Sequence, residues 1–381
     1  MKPQTPARPS LLAAVGILAV TGTLAVTGTA SSANATAHSR ARVAAHSPAT
    51  TAAHGPAAIA AAIAAARSDP SRRDPRRTDP PRWDPGHPAE VTAAQRARAL
   101  TYWTAARMAR ARPPGVSADP AVAPVSAATG PAVVTRAAGI QARPDAAAVR
   151  IRTAAAGWPG GGAVARATGK VFFAMDGQDY VCSAAVVASA NADVVITAGH
   201  CVKNGTGSWA SNWTFVPGFT QGSRPYGSWT ARHFFVASQW SHAANDNDDV
   251  AFVTLNPRDS GGHSVRIGQV VDGLPVTFGQ RTAEEFAFGY PSEPPYTGGG
   301  LYYCSGRVTS DAFHASPDSG LRCELTAGSS GGPWLSGFDP ATGTGTITSV
   351  SSFKYSTDAS VLYGPPLGAV ARALYDSAQR R

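Results

Sequence analysis

The chain has 381 residues, more than one ordinary domain needs, and only 15% of them are charged. The net charge of +9 is confined to one end: residues 1–157 carry 19 Lys/Arg against 7 Asp/Glu, and residues 158–381 carry 14 against 17. The basicity belongs to an N-terminal arm, so no nucleic-acid partner is expected for the C-terminal body.

Residues 1–37 have the layout of a secretory signal. Lys2 and Arg8 make a basic start, Leu11 to Val26 an apolar run, and Ala33-Asn34-Ala35 and Ala35-Thr36-Ala37 small-x-small cleavage patterns. The run is short and interrupted by Thr and Gly, and no later stretch is apolar enough for a bilayer. A secreted, extracellular protein without a stable membrane anchor is expected. Residues 38–159 read as a low-complexity, basic, Ala/Arg/Pro-rich pro-region or linker. Asp-Pro recurs at Asp69-Pro70, Asp74-Pro75, Asp79-Pro80 and Asp84-Pro85, and each Pro restricts itself and its predecessor against helix and sheet. Two helical islands flank this repeat. Ala57–Arg67 is alanine-rich, and Ala89–Arg112 carries Val91, Leu100, Trp103 and Met108 as a loose apolar stripe. A free-standing helix of this kind needs a partner surface. The second island either docks on the body as a pro-region or stays in a solvated arm.

From about Gly160 the pattern changes. Strands are predicted at Lys170–Ala174, Val181–Val187, Val194–Ala198, Trp213–Phe215, His233–Val236 and Val250–Leu255. Further strands are predicted at Val276–Phe278, Phe286–Phe288, Leu301–Tyr303, Trp334–Leu335 and Thr346–Ser352. Gly, Pro, Asn and Asp separate them, as in an all-β sandwich or barrel. Val370, Ala373 and Leu374 recur at helical spacing, so Gly368–Ser377 reads as a terminal helix. All four cysteines, Cys182, Cys201, Cys304 and Cys323, lie in this body. An even count in an exported chain argues for two disulfides, with three pairings open, and no Cys-x-x-Cys pair suggests zinc.

Acyl transfer by a serine needs a hydroxyl, a base, a carboxylate to orient the base, and donors for an oxyanion. His200, in Thr197-Ala198-Gly199-His200-Cys201, follows an apolar strand, and its small neighbours let the backbone turn tightly. Ser330 lies in Gly328-Ser329-Ser330-Gly331-Gly332-Pro333, where glycines permit conformations that a side chain forbids. They bring the amides of Gly328 and Ser330 toward one point, as an oxyanion hole requires. Asp249 abuts the apolar run Val250-Ala251-Phe252, which favours it over its rivals Asp246 and Asp248 as the orienting acid.

These three strings resemble the motifs of chymotrypsin-like (trypsin-like) serine proteases, and they fall in that family's order of His, Asp, Ser. The resemblance covers about Gly160 to Arg381. It implies an all-β, two-barrel protease domain over 160–381 with a C-terminal helix. It implies a monomeric serine endopeptidase acting on proteins or peptides through an acyl-enzyme, with no cofactor and no metal. It also implies the pairing Cys182–Cys201, with Cys304–Cys323 as the other bridge. Ser329 stands where most of the family has Asp, which argues against activation by a new N-terminus pairing with that acid.

Within the family the likeness is nearest to secreted bacterial glutamyl endopeptidases. It rests on Ser329, on Cys323 seven residues before Ser330, and on Phe215-Val216-Pro217-Gly218 and Pro225-Tyr226-Gly227-Ser228-Trp229. The chain departs from that group at Leu325, where a threonine is usual, and no histidine follows His314 to recognise glutamate. Glu324, six residues before Ser330, matches the carboxylate that trypsin-like enzymes direct at Lys or Arg. The strand Thr348–Ser352, with Ser349 and Ser351, is expected to pair with the extended substrate. Two other classes compete. Gly328 to Gly332 also fits the Gly-x-Ser-x-Gly elbow of esterases, but that fold needs its histidine after the serine. A catalytically inactive, protease-like binding domain with a basic arm is the alternative.

Overall fold

Most of the predicted strands pair into two sheets. The computed structural model describes residues 86–115, 117–118, 151–280, 282–311, 313 and 316–381. The signal segment, the Asp-Pro repeat and the expected helix Ala57–Arg67 lie outside the described residues. The N-terminal stretch holds β1 (His87–Pro88), α1 (Ala93–Tyr102), α2 (Ala105–Arg110) and β2 (Ser117–Ala118). The body follows with β3 (Arg152–Gly157), α3 (Gly162–Ala167), β4 (Thr168–Met175), β5 (Gln178–Val186), β6 (Val194–Thr197), β7 (Ser211–Pro217), β8 (Trp229–Val236), α4 (Ser238–Ala243) and β9 (Ala251–Leu255). A small hairpin, β10 (Arg258–Ser260) and β11 (His263–Val265), and α5 (Gly268–Val271) lead to the second sheet. That sheet contains β12 (Glu284–Gly289), β13 (Tyr302–Ser310), β14 (Ser319–Arg322), β15 (Pro333–Asp339), β16 (Thr344–Val350), β17 (Phe353–Tyr355) and β18 (Asp358–Gly364); α6 (Ala369–Ala378) ends the chain.

The first sheet runs β8-β7-β4-β5-β6-β9, and β9 pairs back onto β8, so it closes into a six-stranded barrel. Closure removes the sheet edges. The second runs β16-β15-β12-β13-β14-β18-β17 and forms a half-barrel, with β3 added to β13. The architecture is the all-β, two-barrel one, with α6 as its terminal helix. The second sheet takes in Arg152–Gly157, upstream of the change in composition near Gly160.

Three expectations differ in detail. Val276–Phe278 is no strand: it makes a single bridge from Val276 to Ile347, and Phe278 contacts the rings of Phe252 and Tyr375 instead. The stretch Ala89–Arg112 splits at Trp103, because Thr104 Oγ1 accepts from Arg107 N and starts a new helix. Val91 and Leu100 are 40% and 43% exposed, so the covered face is Ala99, Trp103 and Met108 rather than the expected stripe.

That N-terminal stretch straps the first barrel. β1 pairs with β8, and Trp103, 2% exposed, packs with Met108 against Phe172, Val181, Val216, Phe219 and Tyr290. Trp103 Nε1 donates to Asn212 O at 2.6 Å, and Tyr102 OH to Asp179 Oδ1 at 2.7 Å. The strap explains why β4 is buried at every position. Val171, Phe173 and Met175 point into the barrel, whereas Phe172 points outward and meets Trp103 at 5.5 Å between ring centroids.

Glu90 seals the strap's start. One carboxylate oxygen accepts from Trp213 N at 3.1 Å and the other has no hydrogen-bond partner among the described residues, and burial pushes the pKa up from 4.5 to about 7. The folded state therefore favours the protonated acid. Its stabilising contribution is full below pH 4.5 and is lost as pH rises through about 7. We expect thermal melts to show stability falling over that window by on the order of 3 kcal/mol. Glu90→Gln is expected to flatten the dependence; an equal slope in the variant would remove Glu90 as the titrating group.

Candidate active site

β6 and β9 are antiparallel, with Thr197 opposite Ala251. The residues just past β6 and just before β9 therefore meet at one rim of the barrel. On one side the 3-10 turn Gly199–Cys201 carries His200, which is 5% exposed, and the bridge Cys182–Cys201 ties this turn to β5. On the other side is Asp249, fully buried. A Cβ at Gly199 would lie 2.9 Å from Asp249 Oδ1 and 2.9 Å from Trp240 Cδ1, so only glycine lets the turn come this close.

The Asp249 carboxylate has three donors. His200 N reaches Oδ1 at 2.8 Å, His200 Nδ1 lies 2.7 Å from Oδ2, and Ser352 Oγ also donates to Oδ2. An ionised carboxylate can only accept, so Nδ1 carries the imidazole proton and Nε2 keeps a lone pair. Nε2 is buried and has no hydrogen-bond partner among the described residues. Asp246 and Asp248 sit in the adjoining 3-10 turn and do not bond to the ring. Burial, reinforced by the Asp249 charge, raises Asp246 to about 6.

Ser330 lies in the loop before β15 of the second sheet, and among the described residues its hydroxyl makes no hydrogen bond to His200. Its carbonyl accepts from Ser183 N at 2.7 Å and lies 3.8 Å from Cys201 Sγ, next to His200. Ser183 is a hub. Its Oγ donates to Gly328 O and accepts from Tyr290 N, each at 2.9 Å, and its carbonyl accepts from Thr197 Oγ1 at 2.8 Å. The amides of Gly328 and Ser330 are engaged by no acceptor among the described residues. Gly328 has φ +98°, and Gly331 has φ +77° with Thr197 Oγ1 only 2.1 Å from where a Cβ would sit. The sequence string of small residues is thus a steric requirement of docking this loop on β5 and β6.

Ser330, Ser351 and Ser352 line a cavity of about 540 Å³ with Glu293, Glu324, Leu325 and Lys354. Glu324 is exposed at its wall. Ser351 Oγ accepts from Trp334 Nε1 at 3.1 Å, and Ser349 donates to Pro365 O at 2.8 Å away from the cavity. Lys354 donates to Cys323 O and Ala359 O, both at 2.7 Å, and burial lowers its pKa to about 8. Cys304–Cys323 forms the second bridge, beneath this wall. Among the described residues, the one group with metal-ligand spacing is Cys182, His200 and Cys201, whose donor atoms lie within 4.8 Å. Both sulfurs are bonded to each other, so no thiolate is there to bind an ion.

Sequence reasoning passed over Ser352, Ser183 and Lys354. Ser183 alone left a signal, as a polar residue inside an apolar strand. The glycine requirement is testable. Gly331→Ala is expected to cost at least about 3 kcal/mol in denaturant unfolding, from left-handed backbone plus the clash. Gly337→Ala, at φ +55° with no atom within 4 Å of its Cβ, should cost about 1 kcal/mol. Equal losses would refute the steric account.

Comparison with known proteins follows the same outline. The family model described as Trypsin matches residues 160–361. The solved protease Anisep from Arthrobacter nicotinovorans is 37% identical; the match covers 57% of this chain and 96% of that one, with a TM-score of 0.53. A thermostable serine protease, AL20, from an extremophilic microorganism is 36% identical over 57% of this chain and 99% of its own, also at 0.53. An extracellular metalloprotease of Bacillus subtilis (strain 168) is 36% identical over 66 residues, 17% of this chain, and the chain spans only 21% of that relative's length.

Proposed function

The chain belongs to the trypsin family, and from that premise we propose that it is a secreted serine endopeptidase in which Ser330 attacks the peptide carbonyl. His200 Nε2 takes the hydroxyl proton and later delivers it to the leaving amine. Asp249 holds the ring's tautomer and stabilises the imidazolium. The free amides of Gly328 and Ser330 receive the developing oxyanion. An acyl-enzyme forms on Ser330, and water releases it with His200 again as base. The observation that carries this reading is the 2.7 Å contact of His200 Nδ1 with the buried Asp249, which leaves Nε2 unpartnered beside the Ser330 loop.

Secretion is supported by the signal pattern of residues 1–37, by two disulfides, and by a relative named as extracellular. That relative's name also mentions a metal. With Cys182 and Cys201 bridged, the cluster around His200 is not a ligand set, which supports serine chemistry instead. Extended protein and peptide substrates are read as adding along the strand beside Ser330.

Ser330→Ala is expected to lower kcat by at least about 10⁴-fold, and Asp249→Asn by about 10⁴-fold. A phosphonofluoridate should label Ser330 alone in the wild type. An unlabelled, inert protein would favour the binding-domain alternative, and an alanine variant with full turnover would refute the nucleophile.

The cavity wall carries two carboxylates, Glu293 and Glu324, the second within electrostatic reach of Lys354, whose ammonium is also tied to two carbonyls. This balance favours a basic substrate side chain. Digestion of a proteome-derived peptide library is expected to yield cleavage after Lys and Arg, and Glu324→Gln to reduce it. A profile indifferent to Glu324→Gln would end its role in specificity.

A further inference from the structure

The N-terminal strap does not stop at the first barrel; its end lies in the cleft. Pro114 is buried and, with Gly115, lines the same cavity as Ser330, Ser352 and Lys354. Just beyond, β2 pairs with β17, Ser117 opposite Lys354 and Ala118 opposite Tyr355. The other edge of β17 is taken by β18. β2 therefore occupies the edge of β17 on which an extended peptide would add as a strand.

The pairing is parallel, which sets the direction of the segment. β17 leads away from Ser352, whose hydroxyl bonds to Asp249. Residues before Ser117 thus lie toward the Ser330 end, and those after Ala118 lead away from it. The residues of this segment that line the cavity with Ser330 are Pro114 and Gly115, preceded by Pro113. Proline holds φ near about −65° and carries no N–H, so Pro113 and Pro114 cannot donate a backbone hydrogen bond to β17. The segment narrows the cleft beside β17, and a cavity of about 540 Å³ remains next to Ser330.

It is also held firmly from upstream. Arg112 N donates to Asp179 O at 3.0 Å and Val181 N to Arg112 O at 2.9 Å, fixing the strap to β5 immediately before the prolines. Trp103 and Met108 anchor it further back in their apolar cradle. Downstream, β3 pairs with β13, and Glu324 N donates to Thr153 O, so the chain from Arg152 onward belongs to the body.

Resting on the peptidase reading of Ser330, we infer that the strap, residues 86–115 with 117–118, is a built-in inhibitor of this site: it pairs Ser117–Ala118 parallel to β17, blocks strand addition of peptide substrates there, and is released by a cut between Ala118 and Arg152. This differs from activation through a new N-terminus, for which Ser329 lacks the carboxylate. The strap acts by occupancy, and as a tethered segment it competes at an effective concentration on the order of millimolar.

The test uses the full exported chain and a mixture of short fluorogenic peptides. The double variant Ser117→Pro/Ala118→Pro removes whichever backbone donor the pairing uses, and Trp103→Ala loosens the anchor. Each is expected to raise turnover per labelled Ser330 about tenfold or more over the uncut wild type. As a second route, a recognition sequence for an unrelated protease is placed within residues 119–151. Cutting there should raise turnover, increasingly on dilution as the strap dissociates. Should the variants fail to fold, this route alone decides. Equal turnover before and after cutting, at every dilution and with Ser330 labelled by phosphonofluoridate, overturns the inhibitor and leaves the peptidase standing. No turnover and no labelling in any form overturns the peptidase reading, and the inhibitor falls with it.

Discussion

The Asp249 carboxylate is the constraint on which this architecture turns. A charge taken wholly out of water costs several kcal/mol unless it is paired and its lone pairs are satisfied. Here the satisfaction comes from three donors in two places: the backbone and ring of His200 after β6, and the hydroxyl of Ser352 just before β17. Each donor needs the others in position. The barrel closure that sets Thr197 opposite Ala251 brings the first two together, and the second sheet supplies the third. The same bond orients the imidazole and joins the two halves of the body.

Ser183 makes a second joint a short distance away. Its backbone and side chain hold the carbonyls of Gly328 and Ser330, while the amides of these two residues meet no acceptor among the described residues. The loop can approach this closely only without Cβ atoms, as the 2.1 Å distance at Gly331 and the 1.9 Å distance from a Gly332 Cβ to Phe288 O show. Glycine here is a condition of packing, and the packing in turn sets where the amides aim.

The strap adds a different kind of dependence. Phe172, Val181, Val216, Phe219 and Tyr290 form an apolar outer face on the first barrel, and Trp103 and Met108 cover it. A barrel strand with one wet face would alternate in polarity. β4 does not alternate, and the strap is the second layer that covers it. What supplied that layer was not readable from β4. It came from a stretch whose own composition, Ala- and Arg-rich, suggested a helix but not where its one tryptophan would go.

The sequence by itself determined the strongly apolar strands β4, β5, β6 and β9, and the three strings around His200, Asp249 and Ser330. These are local effects: apolar runs must be buried, and tight turns exclude side chains. It did not reveal β14, β17 and β18, which are short or half exposed and exist as strands because of their partners. Nor did it reveal Ser352, one serine in a run of similar residues, whose acceptor lies 103 positions away. The side of β17 on which Ser117 and Ala118 lie was likewise decided only by the tertiary structure. Such long-range pairings leave no periodic trace, because each residue's partner is chosen by the closure of the whole chain rather than by its neighbours.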